Sequence, residues 1–282
     1  MPDLFSTEEF NRRFLDALGT LEDSTYNLSW EHSPHSKDEA SLSGVGSCAL
    51  QQWAYIAGIP RTDPRDPAGV MTTTMGHLGQ QLVAHVMRTM GYNLFDEEKL
   101  VDLNGIPGHV DGKVTGLDLG DSVAIWDSKF KGIYAMFGTK NSYGMAVDGL
   151  PYAAPEIYLQ QQGYIKAEDA DFGILTAHPF DLGANRVQAA IKKAAHSPVY
   201  RIVLERDDEA GELALTRGKL LNAAVKGKAQ PAREFDPMKD NFPCGYCEVK
   251  AWCVVKGDQY SMVLPPIPED WKVKPVEIME VA

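Results

Sequence analysis

The organisation of this chain follows from residues 108–129, which read GHVDGKVTGLDLGDSVAIWDSK. Apolar residues alternate at both ends of this stretch and its middle is rich in Gly and Asp, so we expect two short strands joined as a hairpin. Because successive side chains of a strand point to opposite faces, Asp127 and Lys129 should share one face. The hairpin would bring Asp111 alongside them. The stretch therefore predicts two acids and one amine around a single point.

Two carboxylates beside an amine suit metal-dependent cleavage of a phosphodiester bond. That reaction uses metal ions to polarise the phosphate and to stabilise the leaving oxygen, and Mg²⁺ or Mn²⁺ prefers carboxylate oxygens on rigid elements. Lys129 is expected to orient or deprotonate the attacking water, with a pKa lowered by partial burial. The alternative is an exposed hairpin whose charges face solvent, because an Asp-x-Lys triplet is common.

The remaining periodicity predicts a mixed α/β core with a C-terminal appendage. A helix over about 156–168 carries Gln160 and Tyr164 four residues apart, therefore on one face. The other expected helices are Ser6 to Leu18, Ser43 to Ala57, Gly76 to Met90, Asn185 to Ala195 and 211–226, and the expected strands are Gly108 to Thr115, Ser122 to Ser128, Phe172 to Ala177 and Tyr200 to Glu205.

Four cysteines form a second candidate site. Three crowd into C-x2-C-x5-C at Cys244, Cys247 and Cys253, and the fourth, Cys48, lies far upstream. Thiolates select Fe–S clusters or zinc, and four of them complete either kind of site. Such a split set would tie the two ends of the chain together. Four unrelated buried thiols are the alternative, which the spacing disfavours.

Composition limits the function classes. The formal net charge of −12 argues against a protein that coats nucleic acid non-specifically. No apolar run is long enough to cross a bilayer, and the acidic, amphipathic N-terminus has no secretory signal. A cytoplasmic protein is therefore expected, in a compartment where clustered cysteines stay reduced and favour metal over disulfides.

Three motifs resemble those of the RecB-like branch of the P-D-(D/E)-x-K nuclease superfamily: Gly108-His109-Val110-Asp111-Gly112, Asp127-Ser128-Lys129 and Gln160-x3-Tyr164. With the split cysteines, the chain is similar to the iron–sulfur nucleases of that branch. These are the CRISPR-associated RecB-like exonucleases, the AddB nuclease domain and related phage exonucleases. The similarity spans roughly residues 41–255.

The resemblance implies a restriction-endonuclease-like fold, a mixed central sheet flanked by helices, closed by an iron–sulfur clamp between the N- and C-terminal segments. The division would be an N-terminal helix and loop over 1–40, a nuclease core over 41–255 and an extended tail over 256–282. Implied metal ligands are Asp111, Asp127 and the backbone carbonyl of Ser128.

The resemblance also implies roles for the remaining motif residues. Lys129 would be the catalytic lysine, and Gln160 and Tyr164 would position the DNA strand or support the site. The four cysteines, Cys48, Cys244, Cys247 and Cys253, would hold a structural [4Fe–4S] cluster. Zinc remains open from spacing alone.

One position departs from the family pattern. The family has His or Glu a turn into the helix that follows a glycine such as Gly76, and here that position is Gln80. A neutral amide is a weaker metal ligand than either. Gln80 is favoured as a ligand or as the holder of metal-bound water, and His77, serving through a register change, is the alternative.

The sequence therefore predicts a Mg²⁺- or Mn²⁺-dependent DNA exonuclease that acts on single strands or duplex ends in recombination or repair. Its partners would be DNA and, beyond that, a second copy of the chain or a recombination protein, with no membrane. The first alternative is a DNA-binding or partner-binding protein that keeps the fold but has lost turnover. The second is a zinc-clamped hydrolase that acts on another phosphodiester.

Overall fold

A five-stranded sheet lies at the centre of the molecule. The computed structural model describes residues 4–19, 38–63, 67–137, 144–145, 149–179, 200–239 and 244–268. Its helices are α1 (Thr7–Gly19), α2 (Ala49–Ile56), α3 (Pro67–Met90), α4 (Ile133–Phe137), α5 (Leu150–Ala153), α6 (Pro155–Ala167), α7 (Asp208–Lys226) and α8 (Lys250–Lys256). Its strands are β1 (Asn93–Phe95), β2 (Lys99–Asp102), β3 (Pro107–Val110), β4 (Gly112–Thr115), β5 (Ala124–Lys131), β6 (Phe172–Pro179) and β7 (Tyr200–Glu205).

The sheet order is β1-β4-β5-β6-β7, and a separate pair joins β2 to β3. Strands β5 and β6 run parallel and the other pairs are antiparallel. Parallel neighbours need a crossover, and α6 lies in the segment between β5 and β6. All eight residues of β6 are buried, as expected for a strand covered on both faces.

Two apolar clusters cover the two faces of the sheet. Ile125 of β5 and Leu175 of β6 pack with α6 and α7 on one face. Trp126 of β5 and Ile174 of β6 pack with α1 and α3 on the other. The fold class predicted from the sequence, a mixed α/β sheet flanked by helices, is confirmed. Among the described helices, none is long and apolar enough to span a membrane.

Helix α1 is attached to the sheet by a buried ion pair. Its first turn is capped by Ser6, whose Oγ accepts a hydrogen bond from the Glu9 N–H at 3.1 Å. Just before it, the backbone of Phe5 bonds to both members of the pair Asp118 and Arg201, which lie 2.6 Å apart. The side chains of that pair are 0% and 3% exposed. The charges are therefore desolvated and depend on each other.

Several element boundaries differ from prediction. Helix α2 begins at Ala49, six residues after the predicted Ser43, and α3 begins at Pro67 instead of Gly76. The strand predicted from Gly108 to Thr115 is interrupted at Asp111, and the short strands β1 and β2 were missed. The predicted helix from Asn185 to Ala195 lies outside the described residues.

The late start of α2 has a steric reason. Residues 42–46 form turns, with Gly44 N–H bonded to Ser41 O and Ser47 N–H bonded to Gly44 O. A Cβ on Gly46 would lie 2.4 Å from the Cα of Glu156 in α6. This contact places the loop before Cys48 directly against the helix that carries Gln160 and Tyr164.

Candidate functional site

Asp111 stands at the bend between β3 and β4, where the chain leaves the two-stranded pair and joins the central sheet. The neighbouring Gly112 pairs with Trp126, so Asp111 lies beside Asp127 of β5. The Asp111 Oδ2 atom accepts a hydrogen bond from the backbone N–H of Ser128 at 2.7 Å. This bond fixes one acid next to the strand that carries the other.

Asp127 and Lys129 lie on the face of β5 that is covered by α6. The Nζ of Lys129 donates a hydrogen bond to Asp127 Oδ1 at 2.8 Å and lies 2.6 Å from Oδ2. The second contact is an ion pair without hydrogen-bond geometry, because no described residue donates a hydrogen bond to this buried Oδ2. Asp127 is 1% exposed. Its Oδ2 is the kind of buried, incompletely satisfied oxygen that a cation completes.

Burial perturbs both acids, and repulsion by Asp127 adds to the effect on Asp111. Burial raises the pKa of Asp111 well above its usual range, and the charge of Asp127 adds to that rise. Burial also raises the pKa of Asp127, against the opposing charge and hydrogen bond of Lys129. The site holds more negative charge than its own lysine balances, and a divalent cation would relieve it.

The pKa of Lys129 was predicted to be lowered, and this prediction is wrong. Burial alone would lower it, but the charges of Asp127 and Asp111 and the hydrogen bond to Asp127 outweigh burial, so the pKa is raised. Two nearby acids favour the ammonium form. Without a bound metal ion, Lys129 is therefore a cation that donates a hydrogen bond to Asp127.

Gln160 and Tyr164 reach the same site from α6. The Gln160 Nε2 donates a hydrogen bond to the Tyr164 hydroxyl at 2.9 Å, and Tyr164 is 1% exposed. Burial raises the pKa of Tyr164, and the charges of Asp127 and Asp111 raise it further. The phenol therefore stays protonated beside the two acids. The structure thus brings together the acids, the lysine and the helical pair predicted from sequence.

Glu98 is a third acid that sequence reasoning missed. It lies in the turn between β1 and β2 with a left-handed φ of 52°, and its Oε1 accepts a hydrogen bond from Gln80 Nε2 at 2.6 Å. Its charge contributes to the raised pKa values of Asp111, Asp127, Lys129 and Tyr164. The sequence signal was the acidic run Asp96-Glu97-Glu98, which by itself reads as a solvated turn. Gln80 therefore faces an acid at the rim of the site.

The acidic site fits a hard divalent cation. Its donors are carboxylate oxygens on adjacent strands, with one buried oxygen of Asp127 lacking a hydrogen bond from the described residues. Across the described part of the chain, no three His, Cys, Asp or Glu side chains are placed to hold one ion. Ions here would take further ligands from the Ser128 carbonyl, water and phosphate, as Mg²⁺ commonly does.

All four predicted cysteine ligands line one cavity. Its wall contains Cys48, Cys244, Cys247 and Cys253. The four thiols form no disulfide. Burial raises the pKa of Cys247 and Cys253, and the charge of Cys48 raises both further. Thiols nearly two hundred residues apart in sequence are thus close enough to act on one another.

Cys48 is held at its place by Glu234. It is the N-cap residue of α2, and it is buried. The Ala49 N–H that follows donates to Glu234 Oε2 at 2.7 Å. Trp53 of α2 stacks on Trp252 of α8 with ring centroids 6.1 Å apart. These contacts join the segment of the first cysteine to that of the last three.

Arg217 of α7 ties the same segments together. Its guanidinium donates to the carbonyls of Val45 at 2.8 Å, of Ser47 at 3.3 Å and of Pro265, and it pairs with Glu234 at 2.8 Å. The Arg217 side chain is 1% exposed. One buried cation therefore holds the loop before Cys48 and the segment after α8.

Similarity to solved structures is broad but distant. An alkaline exonuclease from Laribacter hongkongensis matches with a TM-score of 0.46 and 15% identity, over 68% of this chain and 90% of that chain. Its complex with dAMP matches with a TM-score of 0.45, 15% identity and the same coverage of both chains, 68% and 90%. A phage-related exonuclease from Haemophilus somnus 129PT matches with a TM-score of 0.42 and 14% identity, over 68% of this chain and 96% of that chain. No protein-family profile and no curated protein matches.

Proposed function

We propose that this chain is a Mg²⁺- or Mn²⁺-dependent deoxyribonuclease that removes nucleotides from DNA ends or single strands. The observation that carries the proposal is the convergence of Asp111, Asp127 and Lys129, with Asp111 fixed by the Ser128 N–H at 2.7 Å. Two buried acids of raised pKa beside one cation favour a site that binds divalent metal and phosphate. The restriction to DNA ends, and the process of recombination or repair, follow the resemblance of the motifs.

In this proposal the side chains have distinct tasks. The bound Mg²⁺ or Mn²⁺ would polarise the scissile phosphate and stabilise charge on the leaving oxygen. Asp111, Asp127 and the Ser128 carbonyl would hold it. Lys129, kept protonated by the two acids, would orient the attacking water and offset charge that develops on the phosphate.

The helix residues would position the substrate. Gln160 and Tyr164 form a hydrogen-bonded pair beside the acids, and the buried phenol has a proton to donate. Gln80 would act through Glu98, because its amide already donates to that carboxylate at 2.6 Å. Glu98 would then supply the acid that the family pattern expects from the helix.

We also propose that the four cysteines hold a [4Fe–4S] cluster as a structural clamp. Their place on the wall of one cavity supports a shared ligand set. The described thiols would have to move closer together to hold one group, because no three of them are already placed to bind one ion. An anaerobic UV–visible spectrum with iron and zinc analysis tests this. Absorbance near roughly 400 nm with iron is expected for a cluster, whereas a colourless protein with stoichiometric zinc would contradict it.

The nuclease proposal is tested by digestion of end-labelled single- and double-stranded DNA with Mn²⁺ or Mg²⁺. Wild type should release nucleotides from the ends. Asp127→Ala and Lys129→Ala should each lose at least about 100-fold, because metal-assisted charge stabilisation supplies several kcal/mol. Asp121→Ala, at an exposed acid in the turn of the same hairpin, is the matched control and should retain activity.

The outcomes separate the candidate functions. A folded wild type that cleaves neither substrate would overturn the nuclease proposal and favour a DNA- or partner-binding protein without turnover. Undiminished cleavage by Lys129→Ala would remove Lys129 from the mechanism. Size-exclusion chromatography with and without DNA tests the remaining part of the proposal, a homo-oligomer or a complex with a recombination protein.

A further inference from the structure

Lys131 is a second lysine on the catalytic face of β5. It ends the strand two residues after Lys129 and is partly buried. Because strand side chains alternate, it lies on the same face as Asp127 and Lys129. Two residues along a strand span about 6–7 Å. This is close to the separation of successive phosphates along one nucleic-acid strand.

The two lysines differ in their partners. Lys129 is paired with Asp127 at 2.6 Å, whereas Lys131 forms no ion pair with any residue that the structure describes. Its electrostatic neighbours are Glu156 of α6, Lys129 and Asp127, and burial lowers its pKa against the pull of Glu156. An amine that is partly desolvated, with acids nearby but none of the described ones in ion-pair contact, is a costly arrangement unless an anion joins it.

We propose that Lys131 binds the phosphate next to the scissile one on the same DNA strand. The inference rests on the proposed function, which places the scissile phosphate at Asp111, Asp127 and Lys129. A strand laid along β5 would then present its next phosphate to Lys131. Lysine binds phosphate as a point charge and needs no bidentate geometry. Lys131 would therefore set the register of the strand without taking part in bond cleavage.

The adjacent phosphate has two sources, an internucleotide diester or a terminal monoester. Both are recognised by the same charge. Oligonucleotides with one neutral methylphosphonate on either side of the scissile linkage remove the diester charge at a chosen place. A matched oligonucleotide without its terminal phosphate removes the monoester charge. The modified oligonucleotide that loses affinity shows whether Lys131 contacts the diester or the terminal monoester.

The test measures binding of these oligonucleotides by fluorescence anisotropy in Ca²⁺, over a series of salt concentrations, for wild type and Lys131→Gln. Lys131→Gln should weaken binding about tenfold, as for a charged hydrogen bond. It should also lower the slope of log Kd against log salt by about 0.7–0.9, the value for one phosphate contact. In Mg²⁺, KM should rise while kcat changes little.

The decisive comparison is a double-mutant cycle that combines Lys131→Gln in the protein with a neutral phosphate in the substrate. Neutralising the contacted phosphate should weaken wild type as much as Lys131→Gln does, and should weaken Lys131→Gln no further. Lys131→Arg should keep the salt slope of wild type. Lys166→Gln is the control and should leave the salt slope unchanged. Lys166 lies at the end of α6 away from Glu156, and it already pairs with Asp208 and Glu212 of α7.

Each result decides something. Equal affinity and equal salt slope in wild type and Lys131→Gln would overturn the inference, even if DNA is cleaved. The expected binding signature without cleavage would keep the phosphate contact of Lys131 and overturn the nuclease proposal. Wild type that binds no oligonucleotide would overturn both. If Lys131→Gln does not fold, the methylphosphonate series on wild type still decides, since one flanking position should weaken binding and equal affinity at both would overturn the inference.

Discussion

Asp111 accepts a hydrogen bond from the backbone N–H of Ser128, across the register that pairs β4 with β5. Ser128 separates Asp127 from Lys129 in sequence, so this one bond sets the position of Asp111 relative to both. This arrangement buries two acids, and burial raises the pKa of both because it disfavours their charged forms. The removal of one of these acids should therefore lower activity and raise the stability of the metal-free protein.

Asp111→Asn should abolish cleavage and stabilise the metal-free protein. The amide keeps an acceptor for the Ser128 N–H but removes a charge whose pKa is raised by burial and by Asp127. A carboxyl with a raised folded pKa favours the folded state below its unfolded pKa and loses this as pH rises through the folded pKa. Thermal melting at pH 7 and pH 4 in EDTA should show a higher melting temperature for the variant at pH 7 and a smaller gain at pH 4. No gain at pH 7 would contradict the prediction.

Cys247→Ser should destabilise the whole chain. In the proposed clamp the cysteines join segments from both ends, so the loss of one ligand would remove the free energy that metal binding adds to folding. The melting temperature should fall by about 2–4 °C for each kcal/mol lost. Chelation of wild type should produce a similar fall, and chelation of the variant little more. A variant with the same melting temperature as untreated wild type would show that the thiols do not share a ligand.

Arg201→Ala should destabilise the protein strongly without touching the candidate site. It would leave Asp118 buried and unpaired, and breaking a buried pair in this way costs about 3–5 kcal/mol. Arg201→Met with Asp118→Asn should recover much of the loss. Urea denaturation measures both. Arg206→Ala, which breaks the exposed pair with Asp169, is the control and should change the urea midpoint little. Equal effects of Arg201→Ala and Arg206→Ala would show that the buried pair has no special role in stability.

His178 should make stability depend on acid pH. Burial lowers its pKa to about 3, and its ring stacks on Phe130 with centroids 4.9 Å apart. A histidine with a lowered folded pKa contributes stability above its unfolded pKa near 6.5 that is lost as pH falls toward 3. The slope contributed by one such proton is at most about 1.4 kcal/mol per pH unit. His178→Leu should weaken the pH dependence of the urea midpoint between pH 6.5 and 4.5. Parallel plots of midpoint against pH for wild type and variant would rule out this contribution.

Local patterns predicted most of the candidate site. Alternation along β5 placed Asp127 and Lys129 on one face, and helical spacing placed Gln160 above Tyr164, because both depend only on neighbours in sequence. Glu98 was missed because its approach requires a left-handed turn between two short strands and the bend of the chain at Asp111. No local periodicity carries that information.

The wrong predictions have the same origin. The pKa of Lys129 was expected to fall because burial was the only effect that one strand reveals, whereas Asp111 comes from another strand and adds a second negative charge. The start of α2 was placed too early because residues 43–48 carry no helix breaker other than glycine. The close contact of Gly46 with Glu156 is tertiary, and no local pattern in this segment predicts it.

The guanidinium of Arg217 has a consequence for biosynthesis. Its partners include the Val45 carbonyl and the Pro265 carbonyl, which is made much later in translation than Val45. Since domains fold as their residues emerge from the ribosome, this cation cannot be fully satisfied until residue 265 has emerged. A product truncated before Pro265 would therefore retain a desolvated charge with part of its shell missing.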